Sequence, residues 1–214
     1  MLSAPTKPRL RGRIHQVAFF VSVPAGAILV LLASGPAATA VAAIYAVSLS
    51  AVFGSSAAYH RGAWTESGRR WMKRLDHSMI FVLIAASYTP VAALVLGGTW
   101  EVVLMSLVWT GAVVGVAMKV ARPDGLTVPT AVLYMVLGWL ALALFPQLVG
   151  AMSLAQVILM VAGGLLYTAG AIVFASRRPD PRPSTFGYHE IWHAFMVAAA
   201  VCHYAMILLV LLAS

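Results

Sequence analysis

The sequence predicts an all-α, polytopic membrane protein: a seven-transmembrane-helix bundle with its N-terminus in the cytoplasm and its C-terminus outside. Three observations lead there. Of the 214 residues, 62% are hydrophobic and only 9% charged, with a mean hydropathy of +0.92, which leaves too few charges to coat a soluble domain. The apolar residues fall in long blocks, each near the ~20 residues that cross a hydrocarbon core. Every Lys and Arg then falls on alternate gaps between those blocks, as the positive-inside rule demands of cytoplasmic loops.

The elements follow in order. Block one, 17–34, comes after Lys7, Arg9, Arg11 and Arg13. It exceeds the roughly 7–15 apolar residues of a cleaved signal, so it is read as a retained helix, although Ala38-Thr39-Ala40 resembles a cleavage site. Ser34-Gly35-Pro36 ends it, and block two spans 38–60. The next gap holds Arg61, Arg69, Arg70, Lys73 and Arg74. Blocks three and four, 77–97 and 100–121, are parted by Gly97-Gly98. Lys119, Arg122 and a Pro123-Asp124-Gly125 turn precede block five, 127–146, which Pro146 ends. Blocks six and seven, 151–175 and 188–212, flank a Pro-rich run that carries Arg177, Arg178 and Arg182. Pro24 and Pro90 lie inside blocks and predict kinks. All 14 cations are thereby placed, and a wrong helix count would scramble their alternation. The chain, 1–214, is read as one seven-helix domain.

The formal charge of +8 does not mark a nucleic-acid binder, because the cations sit in short gaps beside apolar blocks. There they serve as topology signals and lipid-headgroup contacts. The expected location is the cell membrane, multi-pass, with the lipid bilayer as the surrounding partner. Cys202 is the only cysteine and cannot form an internal disulfide. Oligomeric state is not legible. Trp64, Trp71, Trp100 and Trp192 stand at block edges as interfacial anchors.

Chemistry is sought among the six histidines, since ionisable residues in a membrane are costly and functional by default. His60 ends helix two at the cytoplasmic side, and Asp76-His77 opens helix three there. His189 and His193 lie in the first turns of helix seven, and His15 enters helix one at the same depth. His189 and His193 are four apart, so their imidazoles share a helix face about 6 Å apart along the axis. His189-Glu190-Ile191-Trp192-His193 reads as H-E-x-x-H, the zincin pattern whose Glu is a general base. Glu190, though, is turned about 100° from His189 and faces a neighbouring helix or a headgroup. His60, His189 and His193 plus water make an open tetrahedral zinc site, and zinc lowers the pKa of such a water toward ~7. Ser56, one turn before His60, can orient that imidazole, and Asp76 can hold or deprotonate the water. His15 and His77 are read as interfacial hydrogen-bonding residues. His203 lies about 15 Å deeper and is read as a helix-packing hydrogen bond. Intramembrane metalloproteases also pair H-E-x-x-H with a Pro-Asp-Gly aspartate. Here the order is reversed, and Pro123-Asp124-Gly125 is read as a turn.

With these residues in place, the chain resembles the hemolysin III branch of the progestin and adiponectin receptor family. The matching segments are Ser56-Ala57-Ala58-Tyr59-His60, Arg74-Leu75-Asp76-His77-Ser78 running into Ser87-Tyr88-Thr89-Pro90, and Phe186-Gly187-Tyr188-His189-Glu190-Ile191-Trp192-His193. Relatives often begin with Glu-x-x-Asn-x-x-x-His. This chain has Pro8 and Arg11 at the first two of those places and keeps only His15, which weakens any role for that motif. The resemblance implies seven helices with the N-terminus inside. It also implies zinc on the counterparts of His60, His189 and His193, and contact of the counterpart of Asp76 with the zinc-bound water. Through the receptors it implies hydrolysis of ceramide-like amides; through the bacterial branch's name, hemolysis.

Three function classes therefore stand: a zinc-dependent amide hydrolase of a membrane lipid, with Asp76 and Ser56 as catalytic residues; a cytolytic or pore-forming protein with structural zinc; and a receptor-like membrane sensor. An open three-histidine site favours the first, since structural zinc is usually closed by four protein ligands. No block carries the regular polar stripe of a water-lined pore, and there is no soluble domain to relay a signal. The topology makes a direct prediction. A reporter fused after Ser214 reads as outside, and one inserted within residues 61–75 reads as cytoplasmic; the same side for both breaks the seven-helix count.

Overall fold

A bilayer offers the backbone no hydrogen-bond partners, so each crossing segment must close its own N–H to C=O ladder. The computed structural model describes residues 8–214 and meets this with seven helices long and apolar enough to span a membrane. They are α1 (Arg13–Leu32), α2 (Gly35–Arg61), α3 (Glu66–Val91, prolonged by a wider π turn, Ala92–Leu96), α4 (Gly98–Ala121), α5, α6 (Leu154–Ser176) and α7 (Tyr188–Leu211). Helix α5 is built of consecutive pieces, Thr127–Gly138, a tighter turn Leu140–Leu144, and Phe145–Ala151. Among the described residues there is no strand, only an isolated bridge between Arg182 and Phe186. Lys7 lies outside the described residues.

Two helix limits differ most from those read in the sequence. Helix α3 begins at Glu66, not at 77, because Arg, Lys, Met and Leu are good helix formers even where they are too polar for lipid. Thr65 caps it by accepting from the Gly68 N–H at 3.1 Å. The span Glu66–Leu96 has 31 residues, or about 46 Å, against a hydrocarbon core of ~30 Å. Its charged first turns therefore project beyond the core. Pro146 does not end α5; it stands in the first turn of the last piece, where a missing N–H costs nothing. Ala38-Thr39-Ala40 is inside α2.

Sequence neighbours pack in order around the bundle, and α7 closes the ring against α1 while also touching α2 and α3. The interior is filled by Tyr45, Val52, Phe53, Phe81, Leu104 and Ile207, each at most 3% exposed. The N-terminal segment, the start of α3 and the turns after α4 and α6 meet at one end. Arg9 and Leu10 donate backbone N–H groups to Ser184 and Thr185, Lys73 pairs with Asp124, and Arg74 Nε donates to the Val120 carbonyl at 2.8 Å. The four basic segments thus share one end of the bundle.

Close helix approach depends on missing side chains. A Cβ on Gly115 of α4 would lie 2.4 Å from the Phe81 ring, and that ring is already stacked on Tyr134 at 4.0 Å. Gly115→Ala is expected to separate α3 from α4 and cost about 1–3 kcal/mol, the usual range for overpacking. A lowered melting temperature in detergent, set against an unchanged one for a change at lipid-facing Val113, checks this.

Candidate metal centre

Helices α2, α3 and α7 are the most enclosed of the seven, and they carry the site. His60 occupies the last turn of α2. His189 and His193 stand one turn apart at the start of α7, whose N-terminus is fixed twice over. Asp180 accepts the Tyr188 N–H at 3.1 Å, and Glu190 Oε2 accepts the Gly187 N–H at 2.9 Å, the return arm of a capping box. The direction of α7, and so of both imidazoles, is set by these caps.

The cluster is buried. His60 is 8% exposed and His193 3%; His189 is half-buried. One nitrogen from each of the three lies within 4.8 Å of the others, and the Nε2 atoms of His60 and His189 are 3.3 Å apart. Nitrogen ligands at ~2.0–2.1 Å on a tetrahedral ion stand roughly 3.3 Å from one another. The donor set and spacing therefore suit a metal ion, and three imidazoles leave its fourth position open.

Asp76 of α3 is 8% exposed and Ser56 of α2 is 3%. The Ser56 hydroxyl hydrogen-bonds to the Asp76 carboxyl. Ser56 lies one turn before His60, about 6 Å along α2, so this bond ties the carboxyl to the helix turn next to the one that bears His60. His77, read as interfacial, is half-buried; its Nε2 stands 3.9 Å from the Asp76 Oδ2. Asp124 is in a turn, closed by the Gly125 N–H on the Arg122 carbonyl at 3.2 Å. The hydrogen bond and charge of Lys73 hold its carboxyl below the ordinary range.

Several readings of the sequence change. Glu190 faces neither lipid nor a substrate; it is 1% exposed, and Arg11 Nε donates to its Oε1 at 2.5 Å. With its other oxygen on Gly187, both oxygens are engaged. Arg11, which as a departure from the family pattern argued against the N-terminal motif, is the partner of Glu190. His15 is not interfacial but 2% exposed, and its ring stacks on His193 at 3.8 Å between centroids and 8° between planes. His203, read as a helix-packing residue, lies with its ring against Gly163 and Tyr167 of α6 and beside the Met160 backbone.

Residues 3–204 match the family described as Haemolysin-III related. The chain belongs to that family. It is 28% identical to the Hemolysin-3 homolog of Bacillus subtilis (strain 168), over 91% of this chain and 89% of the relative. It is 29% identical to Hemolysin-3 of Bacillus cereus over 91% and 87%. A more distant similarity, 27% over 75% of this chain and 66% of the relative, is to the human Monocyte to macrophage differentiation factor. For this haemolysin-III family chain the cluster predicts about one metal ion per chain. Alanine at His60, His189 or His193 is expected to remove most of it, and His203→Ala to leave it in place, as read by metal analysis of purified protein.

Proposed function

We propose that the protein is a zinc-dependent hydrolase of a membrane-lipid amide, oriented with its basic end in the cytoplasm. The observation that carries this reading is the buried three-histidine cluster with Asp76 held beside it through Ser56. All-nitrogen, tetrahedral donor sets suit zinc, and zinc bound there would supply a Lewis acid and an activated water. His60, His189 and His193 would hold it.

Asp76 takes the general-base role that Glu190, engaged at both oxygens, leaves vacant. Its carboxylate accepts the proton of the attacking water and passes it to the departing amine, so the acyl product leaves as a carboxylic acid. Ser56 donates to that carboxylate and keeps one oxygen directed at the reacting water. Burial of the cluster excludes bulk water and strengthens each of these electrostatic contacts.

The lipid reading draws on the walls of the bundle. A groove of about 440 Å³ runs between α1 and α2, with Phe19, Phe20 and Gly54 inside it and Gln16 and Arg61 at the basic end. A second, of about 380 Å³, lies between α2 and α3 on the other side of Phe19. Both open sideways on the wall of the bundle near the level of the site, as an entry for a lipid tail would.

The names of the two Bacillus relatives suggest membrane lysis as the rival activity. The filled interior weighs against a channel through a single chain, so a pore would have to form between chains. The separating prediction concerns Asp76→Asn. It is expected to keep zinc and to lose at least ~100-fold in release of free fatty acid from N-acyl lipids in nanodiscs, the usual scale for a lost general base. If neither wild type nor the variant releases product, while wild type makes liposomes leak, the hydrolase reading fails and lysis takes its place.

A further inference from the structure

The hydrolysis proposed above makes no use of the N-terminal segment, yet this segment lies against two of the three clustered histidines. The backbone N–H groups of Arg9 and Leu10 donate to Ser184 and Thr185 at 3.1 and 3.2 Å, which pins it to the turn before α7. Arg11 then reaches the buried Glu190. Gly12, at φ +78°, lets the chain cross directly over the end of α2. A Cβ there would be strained by the backbone and would stand 2.7 Å from the His60 Cβ. One turn on, His15 lies flat on His193 and against Phe53 at 5.2 Å.

We propose that residues 8–15 are a strap that positions the His193 imidazole and closes the basic end of the histidine site. Arg11, Glu190 and His15 then govern how fast a bound metal escapes. The inference rests on the metal-site reading of His60, His189 and His193. A ligating histidine usually has its ring fixed by a hydrogen bond on the far nitrogen. Here the parallel His15 ring restricts rotation of His193 by contact. The Arg11–Glu190 pair is charge-assisted, and its Glu190 carboxylate is buried while Arg11 is partly exposed, so losing Arg11 leaves a buried carboxylate without its partner. Because Glu190 also caps α7 three residues after Gly187, the same side chain ties the strap to the helix that bears two of the ligands.

The test uses full-length, zinc-loaded protein in detergent and follows zinc loss to excess chelator. Arg11→Ala, Glu190→Gln and His15→Ala are expected to release zinc about tenfold faster or more, the scale for lost ligand-orienting contacts. His15→Phe keeps the stacked face and is expected to stay slow. A disulfide between Leu10→Cys and Thr185→Cys, with Cys202→Ala, ties the strap down and should restore slow release to Arg11→Ala. A merely destabilised bundle would not be rescued so locally. Wild type that takes up no zinc overturns the metal-site reading itself. Wild type that holds zinc, with every variant releasing it at the wild-type rate, overturns the strap and leaves the site standing. Equal release from His15→Phe and His15→Ala overturns the stacking role.

Discussion

Everything near the site follows from one contact, the 3.3 Å approach of the His60 and His189 Nε2 atoms. Imidazoles are costly in a membrane-spanning bundle unless each nitrogen finds a proton, an acceptor or a metal ion. Two helices far apart in sequence must end at the same depth for the contact to exist. Helix α2 must also stop at Arg61, and α7 must start at Tyr188. The caps by Asp180 and Glu190 and the close passage of Gly12 over His60 are the local means of holding those ends in register. A slip of one residue in α7 would turn His189 and His193 by about 100° and leave their nitrogens unsatisfied.

The zincin-like spacing takes on a different meaning in this setting. In a soluble H-E-x-x-H helix the glutamate reaches the reacting water. Here Glu190 is drawn back to its own helix start by Gly187 and held from above by Arg11. The spacing between the histidines does its work through helix geometry alone, whereas the glutamate serves the helix terminus. In the hydrolase proposed above, the carboxylate for proton transfer would come from another helix, and Asp76, which Ser56 meets from α2, is the candidate. Membership of the Haemolysin-III related family fixes the architecture; the chemistry has to be argued from these side chains.

Legibility in the sequence followed the range of the interactions involved. Spans were readable because hydropathy acts residue by residue, and the meeting of the basic segments at one end was readable from the alternation of Lys and Arg. The start of α3 was misplaced because hydropathy marks where lipid begins, not where the helix begins; Thr65 and the charged turn after it carry the helix out of the membrane. The histidine trio was legible from a four-residue spacing plus shared depth. Arg11 was missed because its partner is 179 positions away, and no periodicity reports such a pair. His15 was placed at the right depth but not on His193, since a stacking angle depends on how α1 leans on α7.

The segment Ser87-Tyr88-Thr89-Pro90 shows how a motif can look catalytic and act on the backbone instead. Pro90 removes a donor and sits just before the wide turn Ala92–Leu96, where carbonyls lose their regular partners. Ser87 and Thr89 return hydroxyl donors to the Leu83 and Ala85 carbonyls at 2.7 and 2.9 Å. Trp109 of α4 adds its indole N–H to the Thr89 hydroxyl at 3.2 Å. Tyr88 reaches across to the break in α5, donating to the Gly138 carbonyl at 3.0 Å and accepting the Ala141 N–H at 3.1 Å. Irregular backbone at membrane depth persists only where protein satisfies it, and Tyr88 does so for the break in α5. The polar residues of the motif are thereby accounted for by contacts within the bundle, without a substrate.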